Sequence, residues 1–332
     1  MKPLIKKLVE AYGPSGSEGQ VRDLVRSEIR NLADYVTVDP LGNLIAVIKK
    51  KARGGRKVIL AAHLDEIAVI VSHVDDRGFA RFHPFGGVKP LACLGGRVRF
   101  ADGRPGVIGL DARRDDDARI PGLSDLFIDV GATSKADCPI RVGDVAVFSR
   151  PLVQVGERLV AKSMDDRIGV AILVETLRTL KRTPHEVAFV FSVQEEVGLR
   201  GAGAAAFGLD AEVAIAVDVT ATGDTPNGFK MEVALGGGPA IKVRDSGMVA
   251  DPRIKDLLAQ RAQEAKITAQ LEVLEAGTTD ATAMQIARGG LPAGCVSIPT
   301  RYIHTPSEMV DYRDVQACVS LLVETLQKPI AI

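Results

Sequence analysis

Apolar positions in the first part of the chain follow two periods. Leu4, Ile5, Leu8 and Val9 recur at helical spacing and predict a short helix. Gly13-Pro14-Ser15-Gly16 ends it, and Ser17-Glu18-Gly19-Gln20 fits an S-x-x-Q capping box. The helix this box would open carries Val21, Leu24, Val25, Ile29 and Leu32 on one face. Apolar runs at 36–38 and 44–48 flank Asp39-Pro40-Leu41-Gly42-Asn43 and predict a hairpin. The unbroken apolar run 58–62 suits a strand covered on both faces.

The pattern changes between about 69 and 156. Short runs at 80–83, 98–100, 107–110, 126–130 and 145–148 are separated by turns such as Asp76-Arg77-Gly78, Asp102-Gly103 and Gly143-Asp144. They predict a small barrel or sandwich. Beyond Gly156, strands and helices alternate. Val170, Leu173, Val174, Leu177 and Leu180 suit a buried helix face, and further helices are expected from Pro252 and over 314–326. Strands are expected at 187–193, 213–219, 271–274 and 296–299. This alternation implies a mostly parallel sheet covered by helices. The expected fold is one α/β domain, residues 1–68 and 157–332, with a small β-domain inserted at 69–156.

Composition narrows the function classes. The 332 residues are 46% hydrophobic and 25% charged, which excludes a mainly disordered chain. Lys+Arg and Asp+Glu balance at 42 each and Trp is absent, so neither a basic stripe nor a stacking platform for nucleic acid is expected. No apolar run approaches the ~20 residues of a membrane helix. Lys2, Lys6, Lys7 and Glu10 interrupt the first residues, unlike the apolar core of a signal peptide. Cys93, Cys138, Cys295 and Cys318 lack metal-site spacing and read as free thiols, so a cytoplasmic location is expected.

Open α/β sheets bind ligands at the carboxyl ends of their strands. Five such ends carry acids or imidazoles. His63 follows an apolar run, and Asp65, two residues on, can orient its ring; a hydrogen-bonded His capping the strand is the simpler alternative. Asp165-Asp166 opens a helix, where its dipole alone would favour acids. Glu195-Glu196 ends a strand, and adjacent side chains point to different sides, so one can ligate while the other acts as a base. Asp218 ends an apolar run, and His304 lies in a loop stiffened by Pro299 and Pro306. Together these residues suit two divalent cations sharing one carboxylate, about 3.5–4 Å apart. Nitrogen and oxygen donors without thiolates favour zinc, cobalt or manganese.

In this order, AAHLDEIA, KSMDDR, VQEEVG, VDVT and IPTRYIHTPSE resemble the tetrahedral (TET-type) dinuclear metallo-aminopeptidases, the family that includes glutamyl aminopeptidases. The resemblance spans nearly the whole chain. It implies a zinc-exopeptidase-like α/β fold with an inserted β-barrel. It implies that Asp165 bridges two metal ions, that His63 and Asp218 complete one site, and that Glu196 and His304 complete the other. Glu195 would be the general base, and Asp65 would orient His63. The substrates implied are short peptides with a free N-terminus. The implied assembly is a dodecamer built from dimers, with the inserted domain at an interface.

Rival readings remain at this level. A related carboxypeptidase or N-deacylase would need a guanidinium, such as Arg244 or Arg301, placed for a substrate carboxylate. A glycosidase would leave His63 and His304 unexplained. A non-catalytic metal scaffold would not need a spare base beside a ligand. Surplus carboxylate near the metals tolerates an α-amine better than an α-carboxylate, which favours the N-terminal end. Leu235-Gly236-Gly237-Gly238-Pro239 lacks the lysine and spacing of a phosphate loop and reads as a turn that approaches a ligand or a neighbouring backbone. Gly277-Thr278-Thr279-Asp280 reads as a helix cap that the resemblance places near the substrate site. His73, His83 and His185 read as packing or surface residues.

Overall fold

The structure is a computed structural model that describes residues 1–49, 54–112 and 119–332. Among them, eleven strands form one large sheet and six close a barrel. The large sheet runs Tyr35–Val38, Leu44–Ile48, Glu186–Ser192, Lys57–His63, Val213–Thr220, Ala293–Arg301, Glu308–Asp311, Arg158–Ala161 and Val153–Val155. Ala240–Arg244 and Gln270–Val273 branch from the strand Ala293–Arg301. The four central strands, Glu186–Ser192 to Ala293–Arg301, are mutually parallel, so their carboxyl ends lie along one edge.

The central strands read as continuous apolar runs because both faces are covered. Along Lys57–His63, Val58, Leu60 and Ala62 join one core with Ile168, Leu173 and Leu322. Ile59 and Ala61 point the other way, into a second core built largely from Ala188, Ala202, Ala205, Ala214 and Ala216. Alanine on that face lets the helix Arg200–Leu209 pack close to the sheet. The helix Met164–Thr179 is buried almost all round, between the sheet and the helix Tyr312–Gln327.

The barrel strands follow the order Ala68–Val74, Ala80–Phe85, Leu126–Asp129, Pro105–Leu110, Arg97–Phe100 and Val145–Phe148, the last pairing with the first. Val69, Val71, Phe82, Val98, Ile108 and Phe148 fill the interior. Val153–Val155, which lies by number within 69–156, pairs instead with Arg158–Ala161 at the edge of the large sheet. Sequence periodicity missed the short strands Ala240–Arg244 and Glu308–Asp311 and the helix Arg200–Leu209, whose Gly and Ala content gives little amphipathic signal. The helix Tyr312–Gln327 starts before 314 because the Asp311 carboxylate caps it, accepting the Arg313 N–H.

The expected capping box at Ser17 does not form. The Ser17 N–H donates to Pro14 O in a turn, and the helix Gly19–Ile29 starts after Glu18. The Glu18 carboxylate accepts the Gly16 and Gln194 N–H groups instead, tying this turn to the Glu195 loop. The glycines 236–238 form the expected close approach. Gly236 and Gly238 donate to the Asp314 carboxylate, and a Cβ at Gly238 would lie 1.8 Å from Thr268 O. All four cysteines are free. His185 is buried, with Nδ1 accepting the Arg56 N–H, whereas His73 and His83 are exposed. No helix among the described residues is long and apolar enough to cross a membrane.

Arg167 joins the N-terminal segment to the sheet. Its fully buried guanidinium donates to Leu64 O, Leu8 O and Gly13 O and pairs with Glu66 at 3.3 Å. Glu66 keeps its buried partner Lys162, but removing the guanidinium leaves the Leu64, Leu8 and Gly13 carbonyls without this buried donor, at about 1–3 kcal/mol each. Arg167→Met is therefore expected to lower unfolding stability by about 3 kcal/mol or more. Urea denaturation checks this, and a change within about 0.5 kcal/mol, typical of a surface substitution, would contradict the role.

Candidate active site

Each parallel strand delivers site chemistry at its carboxyl end. His63 is the last residue of Lys57–His63 and pairs in register with Ser192, so Glu195-Glu196 follow on the neighbouring strand's exit. Asp218 lies near the end of Val213–Thr220 and is in register with Ser297, a few residues before His304. Asp165 comes from the start of Met164–Thr179, where the peptide to Asp166 is cis. Gln194, Leu199, Tyr302 and His304 adopt positive φ (His304 at 61°), costly for residues other than glycine and typical of functional loops.

The structure brings all seven expected residues together. Asp165 stands between two imidazoles: Oδ1 is 3.0 Å from His63 Nε2 and Oδ2 is 3.3 Å from His304 Nε2. His304 Nε2 is also 3.3 Å from Glu196 Oε1. His63 Nε2 lies 3.9 Å from Asp218 and 3.8 Å from Glu195. Donor atoms of His63, Glu195 and Asp218 all lie within 4.8 Å of one another, as do those of His63, Asp165 and Glu196. These six residues line one cavity of about 800 Å³.

Asp65 sits behind them, fully buried. It clamps two segments to its own, accepting Ser15 Oγ–H at 2.6 Å and the N–H groups of Glu195 and Glu196 at 3.0 and 3.1 Å. His63 Nδ1 lies 3.0 Å from the Asp65 carbonyl and 3.5 Å from its carboxylate. Either contact fixes the ring with Nε2 towards the cavity. Burial alone would raise the Asp65 pKa, but His63, Ser15 and the Glu195 N–H hold it below the usual range.

The electrostatics are those of crowded carboxylates. Burial and mutual repulsion push Glu195, Glu196 and Asp218 upward. Burial alone would do the same to Asp165, but the His304 and His63 imidazoles hold it well below the carboxylate range. Burial would lower His304, yet Asp165 and Glu196 push it up to about 11. Glu196 Oε1 is buried and accepts no hydrogen bond. Buried acids in excess of protein cations, with nitrogen and oxygen donors converging, fit a site for hard or borderline divalent ions.

Sequence reasoning missed several supporting residues. Asp166 turns away and accepts the His63 and Gly169 N–H groups. Glu308 accepts the N–H groups of both Asp165 and His304, and burial pushes its pKa up to about 8. Only its place at the end of IPTRYIHTPSE hinted at it. Asp280 bonds Ser192 Oγ through one oxygen and leaves the other buried without a partner, and burial raises it to about 6. As the sequence led one to expect, Thr279 caps the helix Asp280–Gln285, and Gly277, Thr278 and Thr279 line the cavity. Among the described residues no arginine lines it, and Arg301 is engaged by Asp224 at 2.9 and 2.7 Å. Neither Arg244 nor Arg301, the guanidinium groups a carboxypeptidase reading named, lines the cavity.

Comparison with known proteins agrees with this geometry. The chain belongs to the M42 glutamyl aminopeptidase family, which matches residues 42–321. It is 36% identical to the lysyl aminopeptidase of Pyrococcus furiosus over 98% of this chain and 96% of that one. An aminopeptidase structure from the archaeon Desulfurococcus kamchatkensis superimposes with a TM-score of 0.94 at 41% identity, covering 98% of this chain and 94% of that one. The TET1 peptidase of Pyrococcus horikoshii, described as assembling into a tetrahedron or a large octahedral shell, gives 0.87 at 29% identity over 98% and 99% of the two chains. The protein is thus a peptide-bond hydrolase of the aminopeptidase type.

The barrel segment reaches this site, although it supplies none of the expected ligands. Gly87 packs so close to His304 that a Cβ there would lie 2.3 Å from Nδ1, and one at Gly86 would lie 2.4 Å from Glu196 Oε2. Gly87→Ala must displace the His304 ring. Misplacement by about 1 Å costs about a hundredfold in rate. Peptidase activity of folded Gly87→Ala is expected to fall by about that factor, and wild-type activity would show that His304 has room to move.

Proposed function

We propose that the protein is a dinuclear metal-dependent aminopeptidase that releases N-terminal residues from short peptides. The observation that carries this reading is the Asp165 carboxylate, with one oxygen facing His63 and the other facing His304. In this reading Asp165 would help to hold two divalent ions, zinc, cobalt or manganese, through its two oxygens. His63 and Asp218 would hold one ion with it, and Glu196 and His304 the other. When bound, the ions supply Lewis acidity to the scissile carbonyl and to the attacking water.

The chain's own residues do the rest. Glu195 lines the cavity, and Asp65 holds its backbone N–H, so its carboxylate has a fixed place from which to take the proton of the attacking water and return it to the leaving amine. Asp65 holds His63 with Nε2 towards the cavity. The surplus of carboxylates receives the substrate's α-ammonium. Glu195→Gln is expected to retain about two divalent ions per chain and to lose at least about a hundredfold in kcat. Glu196→Gln should weaken one ion instead. Chelation should abolish activity and zinc or cobalt restore it. Metal analysis beside steady-state rates decides the matter: if the two variants exchanged these behaviours, base and ligand would have to be exchanged, and full activity of metal-free protein would sink the dinuclear reading.

We also propose self-association into a dodecamer built from dimers, with the barrel at an interface, in a cytoplasmic setting that suits four free thiols. The shell-forming relative supports this, as do the exposed apolar side chains Leu91, Ile120 and Val142 in the barrel segment. Light scattering is expected to find a large closed oligomer, and a monomer at micromolar concentration would refute it.

A further inference from the structure

The cavity that holds the site residues has a mostly apolar remainder, walled by Val219, Phe229, Met231, Val273, Leu274 and Ile303. One fully buried cation interrupts it. Lys242 lines the cavity, yet its ammonium donates to Glu272 Oε1 and stands 3.5 Å from Asp245 Oδ2. Thr220 Oγ1 donates to the same Glu272 oxygen at 2.7 Å. Glu272 and Asp245 are themselves buried, and Glu272 Oε2 and Asp245 Oδ2 accept no hydrogen bond. One ammonium is therefore shared by two carboxylates, and the cluster carries a formal surplus of negative charge. Burial alone would lower the Lys242 pKa, but Glu272 pushes it up, so the ammonium stays charged. The other charged residues on the wall, Lys89, Lys230 and Glu275, are exposed to solvent, and Lys89 Nζ donates to Ile303 O at 2.9 Å.

We propose that this cavity selects an uncharged apolar side chain at the first substrate position, and that Glu272, by engaging Lys242, is the specificity-determining residue that keeps acidic side chains out. The proposal rests on the reading that the substrate's α-amine lies at the carboxylate centre, which leaves this cavity for the first side chain. A glutamyl or aspartyl side chain would find the buried cation already engaged and two carboxylates behind it. A lysyl side chain would meet the Lys242 ammonium before either carboxylate. Seated against Lys242, both would lose hydration without gaining a free partner there, and Lys89, Lys230 and Glu275 offer only solvent-screened charge at the exposed part of the wall, whereas a leucyl or methionyl side chain gains by burial.

The test uses the metal-loaded protein and four para-nitroanilides, of leucine, methionine, glutamate and lysine. The expected kcat/KM for the leucyl and methionyl compounds exceeds that for the glutamyl and lysyl compounds by at least about tenfold, the lower end of what a pocket achieves by shape and polarity. A glutamyl or lysyl rate equal to or above the leucyl rate overturns the proposal while leaving the aminopeptidase reading intact. Release from none of the four overturns both. Glu272→Gln should leave Lys242 with Asp245 as its one carboxylate partner and raise the glutamyl-to-leucyl ratio of kcat/KM by at least about tenfold, with metal content unchanged because Glu272 is not one of the proposed ligands. An unchanged ratio in folded, metal-loaded Glu272→Gln removes Glu272 from the role. If that variant does not fold, the wild-type comparison alone decides the apolar preference.

Discussion

Buried carboxylates repel one another and lose hydration, and this fold gathers five of them, from Asp65, Asp165, Glu195, Glu196 and Asp218, around two imidazoles. Such a cluster persists only if the surrounding structure fixes each member and if positive charge enters among them. Parallel strands meet the first requirement. Their carboxyl ends fall along one edge, so His63, the Glu195 loop and Asp218 arrive side by side without long loops. Asp65 then locks the arrangement by holding the Ser15 turn and the N–H groups of Glu195 and Glu196 together.

The supporting contacts radiate outward from that clamp. Glu66, next to Asp65, receives Lys162, Ser163 and Arg167, and Arg167 carries the connection on to the N-terminal helix through Leu8 O and Gly13 O. On the other side Glu308 holds the backbones of Asp165 and His304, and the Gly86-Gly87 segment of the barrel closes against His304 and Glu196. The barrel segment is therefore coupled to the candidate site, because its glycines define the space the His304 ring occupies.

The strand ends were legible in the sequence because a charged residue after a long apolar run is locally conspicuous: 58–62 into His63, 187–193 into Glu195-Glu196, and 213–217 into Asp218. The β-texture of the barrel was legible from its evenly spaced turns. What stayed hidden depends on distant partners. Nothing local marks Ser15 as a donor to Asp65, or Gly87 as the neighbour of His304, since each contact joins segments far apart in the chain. The capping box failed for the same reason, as Glu18 found a tertiary partner in the Gln194 N–H. Lys242 and Glu272 lie on short strands that periodicity did not fully resolve, so their pairing in the wall of the cavity could not be foreseen.

The central claim is that Asp165 is shared by two ions. Anomalous diffraction at the zinc edge from crystals of the zinc-loaded protein tests it most directly. The account predicts two peaks about 3.5–4 Å apart, one beside His63 and Asp218, the other beside Glu196 and His304, with an Asp165 oxygen on each. A single peak, or peaks that leave Asp165 without a metal contact, would contradict it.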